Sequence, residues 1–343
     1  MSSAIPVGPR PTPSILVRLR PTGPWRIGPD SGDPDRVDRI YHSDSLYSAI
    51  SSAMARLGML EEWLEETARA DEPAVRVSSC FPFCGDILLV VPPRHIWPPL
   101  ASSKVRWKGA RFVPLSVVES LLAGRSLAED GWAIDGPSEC LLPASASAGV
   151  FRASVRSGAA VDRTGEGVAP FSTACLEFTS GSGLWFVAAF SGDAASARWR
   201  ERLHAALRLL ADSGFGGERS RGWGRAEMPE IVEGTLPDLL LKPGDHASET
   251  AHWMLSLFHP AENDIVDWER GNYSVTTRSG RVESEGGWGE TKKPTRMVAE
   301  GSVLISPSEP RGSAADVAPG NFPHPVYRVG FGLSLPVPLR PAS

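Results

Sequence analysis

Gly214-Phe-Gly-Gly-Glu-Arg-Ser-Arg-Gly-Trp-Gly-Arg225 places five glycines, three arginines and a tryptophan in twelve residues, directly after a stretch with helical periodicity over 194–213. Glycine admits positive φ and lets a ligand approach the main chain closely. Arginine offers a planar fork for phosphate and a face that stacks on bases. Such a loop suits a phosphodiester backbone, clasped by main-chain amides and guanidinium groups. Its spacing excludes two commoner phosphate cradles. The P-loop string G-x-x-x-x-G-K-[ST] is absent from the chain. A Rossmann turn needs G-x-G-x-x-G between a strand and the following helix, whereas here Arg219 holds the third glycine position and the helix comes first. A helix C-cap glycine followed by a surface turn is the plain alternative.

The 343-residue chain is 41% hydrophobic and 22% charged, with a net charge of −5. That length suits about two domains. A free-standing, non-specific nucleic-acid binder is usually basic overall, so RNA binding here has to rest on local patches or on partners. The 30 arginines against 5 lysines favour bidentate recognition, and a GC-rich genome produces the same skew. Met1 to Ser14 lacks the apolar core of a signal peptide. The run Ile87 to Val91 is too short to span a membrane. Cys80, Cys84, Cys140 and Cys175 lack C-x-x-C spacing, so buried, reduced thiols are expected rather than a zinc site. A cytoplasmic chain without membrane partner, metal or cofactor is the expectation.

Working outward, Ser14 to Arg20 alternates as a strand, and Pro21 to Gly28 follows as a turn-rich loop. His42 to Gly58 reads as a helix capped by Ser43 or Asp44, with Leu46, Ile50, Ala53, Met54 and Leu57 on one face. Val75 to Val91 reads as two strands and Pro114 to Gly124 as a short helix. Strand–helix–strand–strand–helix suggests a ferredoxin-like half whose free sheet face could hold a single strand of RNA. Phe151 to Arg156 and Ala174 to Phe178 read as paired strands around a polar tip, and Leu184 to Phe190 as a buried strand. Further strands are expected over 252–258, 272–278, 297–305 and 326–335, with exposed loops at 280–293 and 306–325.

Several segments share one resemblance. Gly214, Gly216 and Gly222 give G-x-G-x-x-x-x-x-G, which resembles the glycine-rich loop of the RAMP superfamily, the RNA-binding proteins of CRISPR systems. Tyr41-His-Ser-Asp-Ser-Leu-Tyr-Ser-Ala49, the V-D-R-T-G stretch at 161–165, the E-G-S at 300–302 and His324-Pro-Val-Tyr-Arg-Val-Gly330 resemble motifs of one RAMP group in matching order. That group is the fourth-subunit family of the type III-A Csm effector, and the similarity runs from Leu16 to Val337. It implies an α+β fold of two ferredoxin-like (RRM-like) modules, at 14–148 and 149–337. It also implies a thumb-like β-hairpin insertion at 149–180 and the glycine-rich loop at 214–225. The implied function is non-catalytic: a ribonucleoprotein subunit in antiviral defence that holds the crRNA 5′ handle. The implied partners are the large polymerase-like subunit, the backbone RAMP subunits and target RNA near the handle. The chain departs from the group in its acidic balance and long Pro-rich excursions.

The expected RNA-binding residues are Gly214, Gly216, Gly217, Arg219, Ser220, Arg221, Gly222, Trp223, Gly224 and Arg225 in the loop. Arg152, Arg156 and Arg163 are expected in the hairpin, with Arg26 and Ser43 beside the first strand and helix. Trp223 would stack on a base or pack in the core, and stacking contributes ~1–3 kcal/mol per base. Ser43 is first an N-cap candidate. Lys292, Lys293 and Arg296 read as a solvated patch, and Glu61 to Glu66 as an exposed or docking acidic face. Two alternatives stay open: a guide-processing RAMP endoribonuclease with His42 as general base, and a purely structural assembly subunit.

Overall fold

Ser182–Phe190, SGLWFVAAF, carries no charged residue, and a run without a polar face belongs in the middle of a sheet. In the computed structural model, which describes residues 11–29, 32–99, 106–161, 167–241, 250–284 and 287–339, every residue of this strand is buried. It is β10 in chain order. Before it come β1 (Thr12–Leu19), β2 (Val75–Val77), β3 (Phe81–Cys84), β4 (Ile87–Val90), β5 (Val113–Pro114), β6 (Trp132–Asp135), β7 (Cys140–Pro143), β8 (Phe151–Val161) and β9 (Val168–Phe178). After it comes β11 (Glu230–Leu236). Helices α1 (Ser43–Arg56), α2 (Leu60–Glu66), α3 (Leu115–Leu122) and α4 (Asp193–Ser213) are interleaved with them.

The main sheet runs β11-β1-β10-β3-β4-β5, and β2 pairs with the far end of β10. Its ladders are antiparallel, and Val17 faces both Phe186 and Ile231. With β2 and β3 taken as one interrupted strand, the chain passes through β1, α1, β2/β3, β10, α4 and β11. The fourth strand lies beside the first, the first beside the third and the third beside the second, which is the ferredoxin-like βαββαβ order. The expected boundary at 148–149 does not divide this sheet, because β1 is paired along both edges by strands from beyond it. The hairpins β6–β7 and β8–β9 and helix α3 are insertions between its second and third strands.

Helices α1 and α4 pack on each other over one sheet face. Leu46, Ile50, Ala53 and Met54 of α1 are buried, as their spacing requires, while Leu57 lies past the helix end and is exposed. Glu61 and Glu65 pair with Arg69, Glu62 with Arg198 and Arg202, and Glu66 with Arg198. The acidic face is thus largely neutralised within the chain.

The opposite sheet face is not open. The C-terminal strands are β12 (Thr250–Met254), β13 (Asp267–Asn272), β14 (Val275–Arg278), β15 (Arg281–Ser284), β16 (Gly287–Thr291), β17 (Thr295–Val298), β18 (Val303–Ile305), β19 (Ala314–Asp316), β20 (Tyr327–Val329) and β21 (Ser334–Pro338). Four of them form a sheet in the order β13-β18-β12-β21. Trp253, Leu255, Val303, Leu333, Leu335 and Val337 join the same buried cluster as Trp185, Val187 and Phe81. Burying an indole N–H favours a polar partner, and Trp185 Nε1 donates to Leu89 O at 2.8 Å and Trp253 Nε1 to Val91 O at 3.2 Å. Among the described residues from 250 to 339 there is no helix. The expected loop at 280–293 is instead the β15–β16 hairpin. Among the described residues no helix is long and apolar enough to cross a membrane. Cys80, Cys140 and Cys175 are buried and Cys84 half-buried, all as free thiols.

Candidate nucleic-acid interface

Helix α4 ends where Gly214 turns to φ 81°, and its amide still donates to Leu210 O. The chain then folds back on itself. Phe215 N–H donates to Gly224 O at 3.3 Å, and Gly224 N–H donates to Pro24 O at 3.0 Å. Phe215 is the anchor: it is buried edge-on between Trp25 at 4.6 Å and Tyr41 at 5.3 Å. Trp25 Nε1 and Thr22 N–H both donate to Arg225 O, and Gly217 N–H donates to Arg26 O at 2.9 Å. Gly216 shows why glycine is required. At φ 86°, a Cβ there would stand 2.6 Å from Arg26 O.

These bonds change what the loop offers a ligand. The amides of Gly214, Gly217, Gly222 and Gly224 all donate to carbonyls of the chain itself. The glycines therefore serve close backbone packing, and the expectation of an amide cradle gives way to one of guanidinium groups. Residues 219–221 form a 3-10 turn at the tip, entered by Glu218 in the left-handed region at φ 61°. Arg219, Ser220, Arg221 and Arg225 are exposed there, and Gly222 and Trp223 are half-buried.

The tip reaches the hairpin. Arg221 Cζ lies 4.6 Å over the Phe171 ring of β9, a cation–π contact, while its Nε pairs with Glu218 at 3.1 Å. Trp25 exchanges both main-chain hydrogen bonds with Leu176 of β9. Loop 214–225, strip 21–28 and hairpin β8–β9 are thus laid side by side. Register runs from Phe151↔Phe178 to Val161↔Val168, and the outer half of the ladder is exposed, Val155 and Val168 by 57% and 63%. An apolar side chain in open water on a long two-stranded ladder marks a projecting element.

Arg152 and Arg156 both ion-pair with Glu177, Arg152 at 3.0 Å. Burial would push the Glu177 carboxyl up, but the two arginines hold it below the usual carboxylate range. Both guanidiniums stay largely exposed on the wall of a groove of about 580 Å³ between strip 21–24 and the hairpin base. Glu177, invisible as a partner in the sequence, is directly across the ladder from Arg152. Arg163 lies outside the described residues.

Two expected contacts are internal. Arg26 is 9% exposed and its guanidinium donates to Pro34 O, Ala174 O and Asp33 O at 2.8–2.9 Å. It staples the strip to the hairpin rather than facing a ligand. Arg26→Ala should cost ~2–4 kcal/mol, because three carbonyls lose charged donors in a part-buried site. A urea midpoint checks this, and Arg26→Lys should not restore it. Ser43 is buried. Its N–H donates to Ser79 Oγ and its Oγ accepts from Leu257 N–H, so it ties α1 to the C-terminal half instead of capping the helix.

The start of α1 carries a buried ionic cluster. His42 contacts Glu300 through Nδ1 at 2.7 Å and Asp38 through Nε2 at 3.2 Å. Ser79 Oγ also donates to Glu300. Burial disfavours the charged ring, but Glu300 and Asp38 outweigh it and raise its pKa to about 9. Asp44 takes a bidentate pair from Arg278 at 3.0 and 3.1 Å, with Arg328 at 4.0 Å. Burial works against its charge too, and Arg278 holds its carboxyl below the usual range.

Residues 247–337 match the family model of the CRISPR Csm4 C-terminal domain. No curated protein matches the chain in sequence. Among solved structures, a chain of the Csm3–Csm4 subcomplex of the type III-A CRISPR-Cas interference complex is similar at TM-score 0.63 and 17% identity. That match covers 94% of this chain and 99% of that one. A chain of the Csm1–Csm4 cassette in complex with cA4 is similar at TM-score 0.57 and 19% identity, covering 95% and 98%. The same cassette with AMPPNP gives 0.56 and 18%, again covering 95% and 98%.

Proposed function

Because residues 247–337 match the family model of the Csm4 C-terminal domain and the fold is similar to those of chains from Csm4-containing complexes, we propose that the chain is an RNA-gripping subunit of a type III CRISPR effector ribonucleoprotein. It holds the crRNA 5′ handle along the surface shared by the glycine-loop tip and the hairpin base. The observation that carries this reading is the seating of Arg221 on Phe171. It joins two separately encoded basic segments into one surface bearing exposed Arg152, Arg156, Arg219, Arg221 and Arg225. A net-negative chain concentrates positive charge there, and arginine forks with a neighbouring aromatic suit single-stranded RNA.

The projecting hairpin reaches toward target RNA beside the handle. A Csm1-type large subunit and Csm3-type backbone subunits are its protein partners, in keeping with the complexes in which the similar chains occur. The C-terminal sheet is read as a second, helix-poor ferredoxin-like module. The subunit does no bond-breaking of its own, works in the cytoplasm and needs no cofactor. A general base has to present a neutral nitrogen to its substrate, whereas both ring nitrogens of His42 meet buried or half-buried carboxylates.

Changing Arg219, Arg221 and Arg225 together to Ala should weaken guide-RNA retention by an assembled complex. The slope of log K against log salt should become shallower by ~2, at about 0.7 per lost phosphate contact on a single strand. Filter binding over a salt series reads both. An unchanged slope would remove the loop from the RNA path.

A further inference from the structure

On β8, Arg152 and Arg156 stand four residues apart on one face, since side chains of a strand share a face at every second position. At about 3.3 Å per residue their Cα atoms are ~13 Å apart. Their guanidinium groups nevertheless meet at one point. Arg152 reaches Oε2 of Glu177 with Nε at 3.1 Å and Nη2 at 3.0 Å, and Arg156 donates through Nη2 to Oε1 of the same carboxylate. One carboxylate therefore draws together two cations that would otherwise repel each other and spread into water. The side chains are 74% and 55% exposed for the two arginines against 18% for Glu177. The carboxylate is the recessed member, and the guanidinium groups form the outer layer of the groove wall. Asp135, the other carboxylate lining that groove, accepts from Ser138 N–H and Oγ.

The same hairpin face runs on to the glycine loop. Arg152 is opposite Glu177, Arg156 opposite Thr173 and Gly158 opposite Phe171. The Phe171 ring lies on Gly158, where a Cβ would stand 2.6 Å from its Cζ, and Arg221 sits over that ring. The paired arginines and Arg221 thus share one face of one ladder.

We propose that Glu177 is a positioning residue, which gathers Arg152 and Arg156 into a two-armed clamp for one phosphate group of the guide RNA. This rests on the reading of the chain as an RNA-gripping subunit. A long arginine side chain has many rotamers to lose when it is ordered, and one ordered beforehand loses fewer on binding. Each guanidinium carries five N–H donors, so those given to Glu177 leave others for phosphate oxygens. If charge alone decided affinity, removing the carboxylate would strengthen RNA binding, because the site would become more positive. Positioning has the opposite sign.

The test is a mutant cycle on the full chain assembled into the complete effector, with guide-RNA retention read by filter binding over a salt series. Glu177→Gln keeps the size of the side chain but turns one of its two acceptors into a donor that faces donors. It should lower retention about five-fold, although the site gains positive charge. Arg152→Ala with Arg156→Ala should lower retention too, and make the salt slope shallower by ~0.7, the value for one phosphate contact on a single strand. In that background Glu177→Gln should have no further effect. A loss of equal size in both backgrounds would make Glu177 a structural residue of the hairpin. Tighter binding by Glu177→Gln would make it a competitor of phosphate, and unchanged binding would leave it without a part in the grip. Each of these overturns the proposal while the RNA reading stands. If Arg152→Ala/Arg156→Ala keeps full retention and an unchanged slope, the hairpin base lies off the RNA path, and the reading of that surface falls together with the clamp.

Discussion

Gly224→Val should dismantle the loop and abolish guide-RNA retention more completely than removal of the loop arginines. Gly224 sits at φ 79°, and a Cβ there would stand 2.0 Å from Phe215 O and 2.9 Å from Phe215 N. Both clashing atoms are main chain, so no rotamer change relieves them. Forcing a β-branched residue into that conformation costs ~1–3 kcal/mol before the clash is counted. The collision also breaks the Phe215–Gly224 hydrogen bond and pushes Phe215 from its slot between Trp25 and Tyr41. We expect a loss of ~3–5 kcal/mol by chemical denaturation, at the upper end of single substitutions. Gly222, also at positive φ (79°) but with nothing within 4 Å of its Cβ position, should lose only ~1–2 kcal/mol on change to Ala, from backbone strain alone. Comparable losses at the two positions would show that the packing of the loop on strip 21–28 is not what holds it.

The buried ionic cluster at the start of α1 gives the second large effect. Arg278→Ala leaves Asp44 deep in the structure without its bidentate partner, and breaking such a pair typically costs ~3–5 kcal/mol. Removing the pair as a pair, with Asp44→Leu and Arg278→Met, should cost less than either single change, since neither charge is then stranded. The same cluster sets the response to pH. The folded pKa of His42, about 9, lies above the ordinary 6.5, so its contribution is complete below about pH 6.5. It fades as pH rises through 9. Glu300 and Asp44 are shifted downward, so their contributions are present above the ordinary carboxylate range and are lost in acid. Stability should therefore peak near pH 5–6.5 and fall by ~3 kcal/mol toward pH 10, a shift of this size being worth 1.36 kcal/mol per unit. His42→Gln should be less stable at pH 6 and nearly flat across the alkaline limb. A wild-type curve without that limb would contradict the charged state assigned to His42.

How much was legible in advance depended on the range of the interactions. The apolar run of β10, the helix before the glycine loop and the pairing of the strands at 151–156 and 174–178 are local patterns, and each is where its sequence put it. The pairing of β1 with β10 and β11 joins residues far apart in the chain, so the division at 148–149 could not be seen to fail. Arg26 and Ser43 illustrate the same limit at single sites. Both stand beside elements that could face a ligand, and both are claimed by carbonyls or amides contributed from elsewhere. Glycines in such a sequence suggest room for a ligand, whereas Gly214, Gly216 and Gly224 make room for other main chain. The partnership of Arg221 with Phe171 has no sequence signature, because it crosses from one insertion to another loop. Arg278 and Arg328 looked like ordinary strand residues, and only the approach of the C-terminal sheet to α1 made them neighbours of Asp44.

In the proposed function, the tip of the 214–225 loop and the base of the β8–β9 hairpin together grip the leading nucleotides of the guide. Photo-crosslinking tests it most directly, using a guide RNA with 4-thiouridine in its repeat-derived 5′ segment, assembled into the complete effector and analysed by peptide mass spectrometry. Adducts are expected on peptides containing Arg219 to Arg225 and Arg152 to Arg156. Adducts confined to other surfaces, such as the helix face of Arg198 and Arg202 or the exposed Trp268 and Tyr273, would contradict it.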